Sequence, residues 1–198
     1  MKRIGDKDIS GQDFAANDLQ ERNFDSAIVK NCNFDDCNLK NATFINSNLE
    51  GSTFRRANLQ NADLSGANLY AAVFENAILD GVITNGETKW WKLYCPEKGA
   101  FIGYKKCMND RLVQLLIPAD AKRTSSTMNC CRCNKAKVLT IKSFDGKESF
   151  DEAWSLVDEN FVYRKGEWVY VDNFKDDRWW DSTTGIHFWM TREEAKLY

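Results

Sequence analysis

The chain has 198 residues, room for one ordinary domain or two small ones, and its 43% apolar and 28% charged content excludes a disordered composition. A formal net charge of -2 excludes the strongly basic profile of a general nucleic-acid binder and the strongly acidic profile of an extreme DNA mimic. No apolar run is long enough to cross a bilayer, and Met1-Lys2-Arg3 lacks the apolar stretch of a secretory signal, so a cytoplasmic setting with seven reduced cysteines is expected.

All seven tryptophans follow residue 89, and nearly all the asparagine-rich text precedes residue 86. Two domains with different construction rules are expected, over residues 1–84 and 85–198.

From Phe14 to Leu79 a large apolar residue recurs every five positions, fourteen times without an insertion, and Ile9 extends the register. Two residues earlier the side chain is usually small, as at Ala27, Cys32, Ala42, Ser52 and Ala67. A period of five fits neither a helix nor a strand. A coil with one pentapeptide on each of four sides does fit, and it predicts that residues twenty apart stack. Phe14, Phe34, Phe54 and Phe74 have that spacing, as do Phe24 and Phe44.

This pattern resembles the pentapeptide-repeat family, over about residues 7–84. The resemblance implies a right-handed quadrilateral β-helix, a solenoid serving as a non-catalytic binding or positioning scaffold. Such a solenoid needs covered ends. Ile4 and Ile9 are the expected N-terminal cap. Outward apolar residues on the last coil (Tyr70, Val73, Ile78, Val82, Ile83) suggest a surface covered by the C-terminal domain. Cys32 and Cys37 read as small apolar fillers.

Some members of that family resemble B-form DNA and act on topoisomerases, so a DNA-mimic topoisomerase modulator is one alternative. Residues 1–84 carry twelve acidic and eight basic side chains, Arg55 and Arg56 among them. A rod of roughly 15–20 Å matches only about five base pairs. Both points weigh against mimicry.

Thr84-Asn85-Gly86-Glu87 reads as a turn at the domain boundary. Beyond it, strands are expected at Phe101–Lys105, Leu112–Ile117, Ala136–Ile141, Phe161–Arg164, Trp168–Val171 and Gly185–Met190. Lys165-Gly166 is expected to turn the fourth and fifth into a hairpin. Phe150, Trp154 and Val157 have helical spacing and predict a short helix over 149–158. Thr191-Arg192-Glu193-Glu194 fits a capping box opening a last helix. Together these predict an α+β domain. Leu115–Arg123, Asn134–Ile141 and Gly185–Tyr198 resemble a domain of unknown function that follows pentapeptide repeats in proteins of phages and low-GC Gram-positive bacteria.

His187, the single histidine, sits in an apolar strand, where packing is a commoner role than catalysis. Gly185–Phe188 followed by a helix is weakly similar to an ADP-ribosyltransferase core, but the paired-glutamate turn of its arginine-directed branch is absent. No catalytic residue is therefore assigned. Cys130, Cys131 and Cys133 cluster, yet Cys131-Arg132-Cys133 departs from zinc-ligand spacing and no second knuckle exists, so no cofactor is expected. Tandem tryptophans and interleaved cations suit a nucleotide-like ligand, with Trp90, Trp91, Arg123, Arg164, Trp179, Trp180 and His187 as ligand-binding candidates. The expected function is a non-enzymatic scaffold whose C-terminal domain recognises an unidentified protein, with a homo-oligomer also considered. The alternative is a domain that binds or sequesters a small ligand, as in phage counter-defence.

Overall fold

A computed structural model describes residues 7–180 and 183–198; Ile4, assigned above to the N-terminal cap, lies outside the described residues. The described chain forms two compact units, residues 7–92 with 126–128 and 179–180, and residues 93–125 with 129–178 and 183–198. No helix among the described residues is long and apolar enough to cross a membrane.

The first unit is a β-helix with a twenty-residue coil. Parallel bridges join residues twenty apart, from Asp8↔Ile28 to Asp63↔Ile83. Backbone bonds run between coils, as where Phe34 N–H donates to the Thr53 carbonyl at 2.8 Å. The large inward residues build two aromatic columns. In one, Phe14, Phe34, Phe54 and Phe74 stack with centroids 5.0, 5.0 and 5.1 Å apart. In the other, Phe24 lies 4.7 Å from Phe44. The columns meet edge to face, with Phe24 and Phe34 at 85°, the geometry that aromatic quadrupoles favour. Cys32 and Cys37 fill small inward positions, and their buried thiols donate to the carbonyls of Ile9 and Phe14.

Each side of the coil turns through a residue in left-handed conformation. Fifteen residues at five-residue spacing, from Gly11 to Gly81, have φ between 53° and 73°. The residue after the turn bonds back three positions, as Cys37 N–H does to the Phe34 carbonyl at 3.1 Å, except at Cys32, whose N–H donates to Ser52 Oγ. This is the arrangement of a type II turn, whose third residue needs φ > 0. Ten of the fifteen are Gly, Asn or Asp, the residues for which that region is least strained. Asn31, Asn46 and Asn61 also project over Gly51, Gly66 and Gly81, where an added Cβ would lie 2.1–2.2 Å from the amide oxygen.

The C-terminal end of the coil is closed by residues distant in sequence. Asn85 and Thr88 form a side-chain-stabilised turn, with Asn85 Oδ1 accepting from Gly66 N–H and Thr88 Oγ1 donating to the Leu64 carbonyl. That turn inserts one residue, so the next bridge is Asn68↔Lys89. Ala71 N–H donates to the Thr127 carbonyl, and Thr127 Oγ1 donates to the Ala72 carbonyl at 2.6 Å. Trp91 and Trp179 pack on Phe74 with centroids 6.3 and 5.3 Å from it. The cover therefore lies over the open inward column. The outward residues expected to be covered divide: Tyr70, Val73 and Val82 are half-buried, whereas Ile78 and Ile83 are 47% and 52% exposed.

The second unit is mostly strand. A four-stranded antiparallel sheet has the order β1 (Phe101–Cys107), β2 (Arg111–Ile117), β5 (Lys135–Ser143), β8 (Trp168–Tyr170). A three-stranded sheet joins β3 (Arg123–Ser125), β4 (Cys131–Cys133) and β9 (Ile186–Phe188). A small ribbon pairs β6 (Glu152–Trp154) with β7 (Val162–Arg164). The six-residue helix α1 (Arg192–Leu197) opens with the expected capping box of Thr191 and Glu194.

Two local expectations fail. Residues 149–158 form no helix, because Glu152–Trp154 pairs antiparallel with β7. The helical spacing of Phe150, Trp154 and Val157 is incidental, and Val157 is 79% exposed. Lys165-Gly166 does turn the chain, but the flanking strands diverge to different partners, β7 to β6 and β8 to β5. Lys165 N–H and Gly166 N–H donate to Asp151 and Val138, which sends the strands apart.

Candidate functional site

The second unit contains a cleft of about 850 Å³, open to solvent. Its floor comes from β1, where alternation places Gly103, Lys105 and Cys107 on one buried face. Gly103 is tightly covered, since a Cβ there would lie 2.6 Å from the Phe188 ring. Lys105 is 5% exposed and makes no hydrogen bond or ion pair among the described residues. Its Nζ lies 5.9 Å from the centroid of the Tyr163 ring. Burial holds the Lys105 amine below its ordinary range.

Tyr163, on β7, is only 2% exposed, and burial pushes its hydroxyl well above the usual range. Phe161 packs on it at 5.2 Å and also lines the cleft. Asp158 and Asp172 line the opening, beside the exposed Val157 and Tyr170.

His187 closes one side of the cleft from β9. Its Nε2 lies 2.9 Å from the Thr183 carbonyl, which can only accept, so Nε2 carries a proton. In the neutral ring Nδ1 is then an acceptor, and it sits 3.4 Å from the Cys130 thiol.

The wall carrying Thr184 and Gly185 is held by Arg132, which is 4% exposed. Its guanidinium donates to the carbonyls of Lys175, Thr184 and Asp177. Gly185 passes close beneath, where a Cβ would meet Arg132 and Phe174 at 3.2 Å.

Of the residues assigned from sequence to a ligand site, only His187 lines this cleft. Trp90, Trp91, Trp179 and Trp180 belong to the first unit, where Trp91 and Trp179 sit 5.0 Å apart over Phe74, and Trp90 packs on Tyr70. Arg123 donates to the carbonyls of Gly99, Pro118, Ala119 and Ala121 and so clamps a loop. Arg164 is exposed and lies 3.6 Å from Glu152. Lys105 and Tyr163 were missed as site residues because sequence ranks them as one of many lysines and one more aromatic. The signal that could have found Lys105 is a cation on the inward phase of an alternating strand.

Cys130, Cys131 and Cys133 do not converge. Cys131 Sγ donates to the Asn129 carbonyl, and burial raises the Cys133 thiol to about 12. Among the described residues no three Cys, His, Asp or Glu side chains are grouped to hold a metal ion.

The fold is thus that of a pentapeptide-repeat β-helix followed by a mostly stranded unit bearing a ligand-sized cleft. The chain belongs to a family of unknown function (DUF5758), whose model matches residues 91–195, and residues 8–83 match a pentapeptide repeat region. No curated protein matches it. Among solved structures it is similar to a pentapeptide repeat protein from the Arabidopsis thaliana thylakoid lumen, at 34% identity over 42% of this chain and 57% of that one, with a TM-score of 0.42. It is also similar to Rfr23 from the cyanobacterium Cyanothece 51142, at 27% identity over 43% of this chain and 62% of that one, with a TM-score of 0.26. A third is HetL from Nostoc sp. strain PCC 7120, a protein involved in heterocyst differentiation regulation, at 25% identity over 38% and 37%, with a TM-score of 0.30. The chain spans less than two thirds of each of these proteins.

Proposed function

We propose that this is a non-enzymatic binding protein in which the second unit captures a small molecule and the β-helix, a right-handed quadrilateral solenoid, is its rigid platform. One observation carries the reading: a nine-tenths buried lysine without a hydrogen bond or ion pair on the floor of a cleft of about 850 Å³. The stem of Lys105 is buried and its amine faces the cleft, where an occupant can supply the acceptor that the described residues do not. A ligand that supplies the partner accounts for such a group in a cleft of the size that small-molecule sites have.

A thermal-shift screen against a library of small metabolites tests it, comparing the wild type with Thr184→Trp, which fills the cleft. Compounds that raise the wild-type melting temperature and leave the variant unmoved support the reading, because a ligand bound only to the folded state stabilises it. Shifts identical in both proteins, or none across the library, overturn it. A second reading, recognition of a protein by the rod, draws on the exposed Ile28, Ile78 and Ile83.

A further inference from the structure

The cleft also carries information about the class of its occupant. Lys105 Nζ is the cationic group among its lining side chains, and Asp158 and Asp172 are the anionic ones. Tyr163, a largely buried residue that lines the cleft, adds a hydroxyl with no protein hydrogen bond among the described residues. Phe161, Tyr163 and Tyr170 supply flat apolar surface. A deep donor with no acceptor calls for a ligand that brings an acceptor, and a charge-assisted contact is about twice as strong as a neutral one. Two carboxylates against one ammonium disfavour a ligand of high negative charge, since like charges at close quarters repel. A di- or triphosphate is therefore a poor match, which argues against a nucleotide polyphosphate.

We infer that the cleft takes a small organic monoacid with a flat apolar body, its single anionic group seated on Lys105 Nζ with Tyr163 Oη as a second donor. The inference rests on the small-molecule reading above. Burial of the amine supports it: desolvation disfavours the ammonium form, and an arriving anion stabilises it.

Isothermal titration calorimetry on the full chain tests the assignment with benzoate, its neutral isostere benzamide, phenyl phosphate and ATP. Benzoate is expected to bind about tenfold or more tightly than benzamide, and ATP more weakly than benzoate. Lys105→Met should reduce benzoate to the benzamide level and leave benzamide unchanged. Tyr163→Phe should weaken benzoate by a smaller factor; circular dichroism confirms that both variants fold. Phenyl phosphate reports whether a dianion is tolerated, and binding tighter than benzoate overturns the single-charge assignment. Equal affinities for benzoate and benzamide, a Lys105→Met protein that still binds benzoate normally, or no benzoate binding also overturn it. The small-molecule reading survives those results if the library screen finds cleft-dependent ligands of another class, and falls with them if it finds none.

Discussion

The two units achieve burial by opposite means. In the β-helix each inward side chain meets its equivalent twenty residues away, often the same residue type, so one short pattern repeated supplies the whole core. Phe34 lies between Phe14 and Phe54 in the same stack, and the bridges keep one register until the turn at 85–88. In the second unit no contact repeats. Its strands pair across large separations, β4 with β9 and β5 with β8, and its core mixes a cysteine-lined strand, a buried tyrosine and a buried lysine. A repeat solenoid distributes its stability over nearest-neighbour interfaces. An irregular unit concentrates specificity in a few residues and can tolerate an unfavourable one where a ligand repairs it.

Substitutions break or sharpen that contrast. The largest expected effect is Phe34→Ala, which empties the middle of an aromatic column on a side chain with 0% exposure. It should lower stability by about 3–5 kcal/mol in urea unfolding followed by circular dichroism. An effect below about 1 kcal/mol would mean that the column is not a closely packed core.

Lys105→Met should act in the opposite direction, raising stability by up to about 1 kcal/mol, because it removes an ammonium that its largely buried position disfavours. The folded-state pKa of Lys105 is lowered, so the unfolded chain binds its proton more readily. The penalty is therefore full below the folded pKa and fades as pH rises towards the ordinary lysine value. The stability gap between wild type and variant should narrow as pH is raised towards about 10 in parallel urea titrations. A gap that widens would contradict the environment assigned to this amine.

The smallest effect separates backbone strain from crowding in the coil turns. Gly11 and Gly51 share φ near +70°, but an added Cβ at Gly11 meets nothing within 4 Å, whereas at Gly51 it meets the Asn31 side chain. Gly11→Ala should cost about 1 kcal/mol for the left-handed conformation alone. Gly51→Ala should cost more, and adding Asn31→Ala should remove the excess. Equal losses at the two sites would show that the asparagine moves aside freely.

The coil was legible from sequence because its rule is local: the spacing of Phe14, Phe34, Phe54 and Phe74 states both period and stacking. The left-handed position of each turn was equally present, in the recurrence of Gly, Asn and Asp from Gly11 to Asn76 and Gly81, though it is masked by asparagines elsewhere in the repeat. Beyond residue 92 legibility fell. Most strands could be seen as runs of β-formers, but their partners could not, and the expected helix and hairpin around residues 149–171 failed on partner choice. The tryptophans misled for the same reason. Trp91 and Trp179 look like a ligand site because they are large and paired with neighbours, yet they close the end of an aromatic column.

What the amino-acid sequence determined by itself is therefore the β-helix, whose periodic side chains contact their own equivalents, and the helix cap at Thr191, whose bonding is confined to four residues. Tertiary structure alone decided which cation lines the cleft. Lys105 differs from its neighbour Lys106 only in strand phase and in what covers it, and the cleft that Tyr163 from β7 and His187 from β9 build around it is a property of long-range packing.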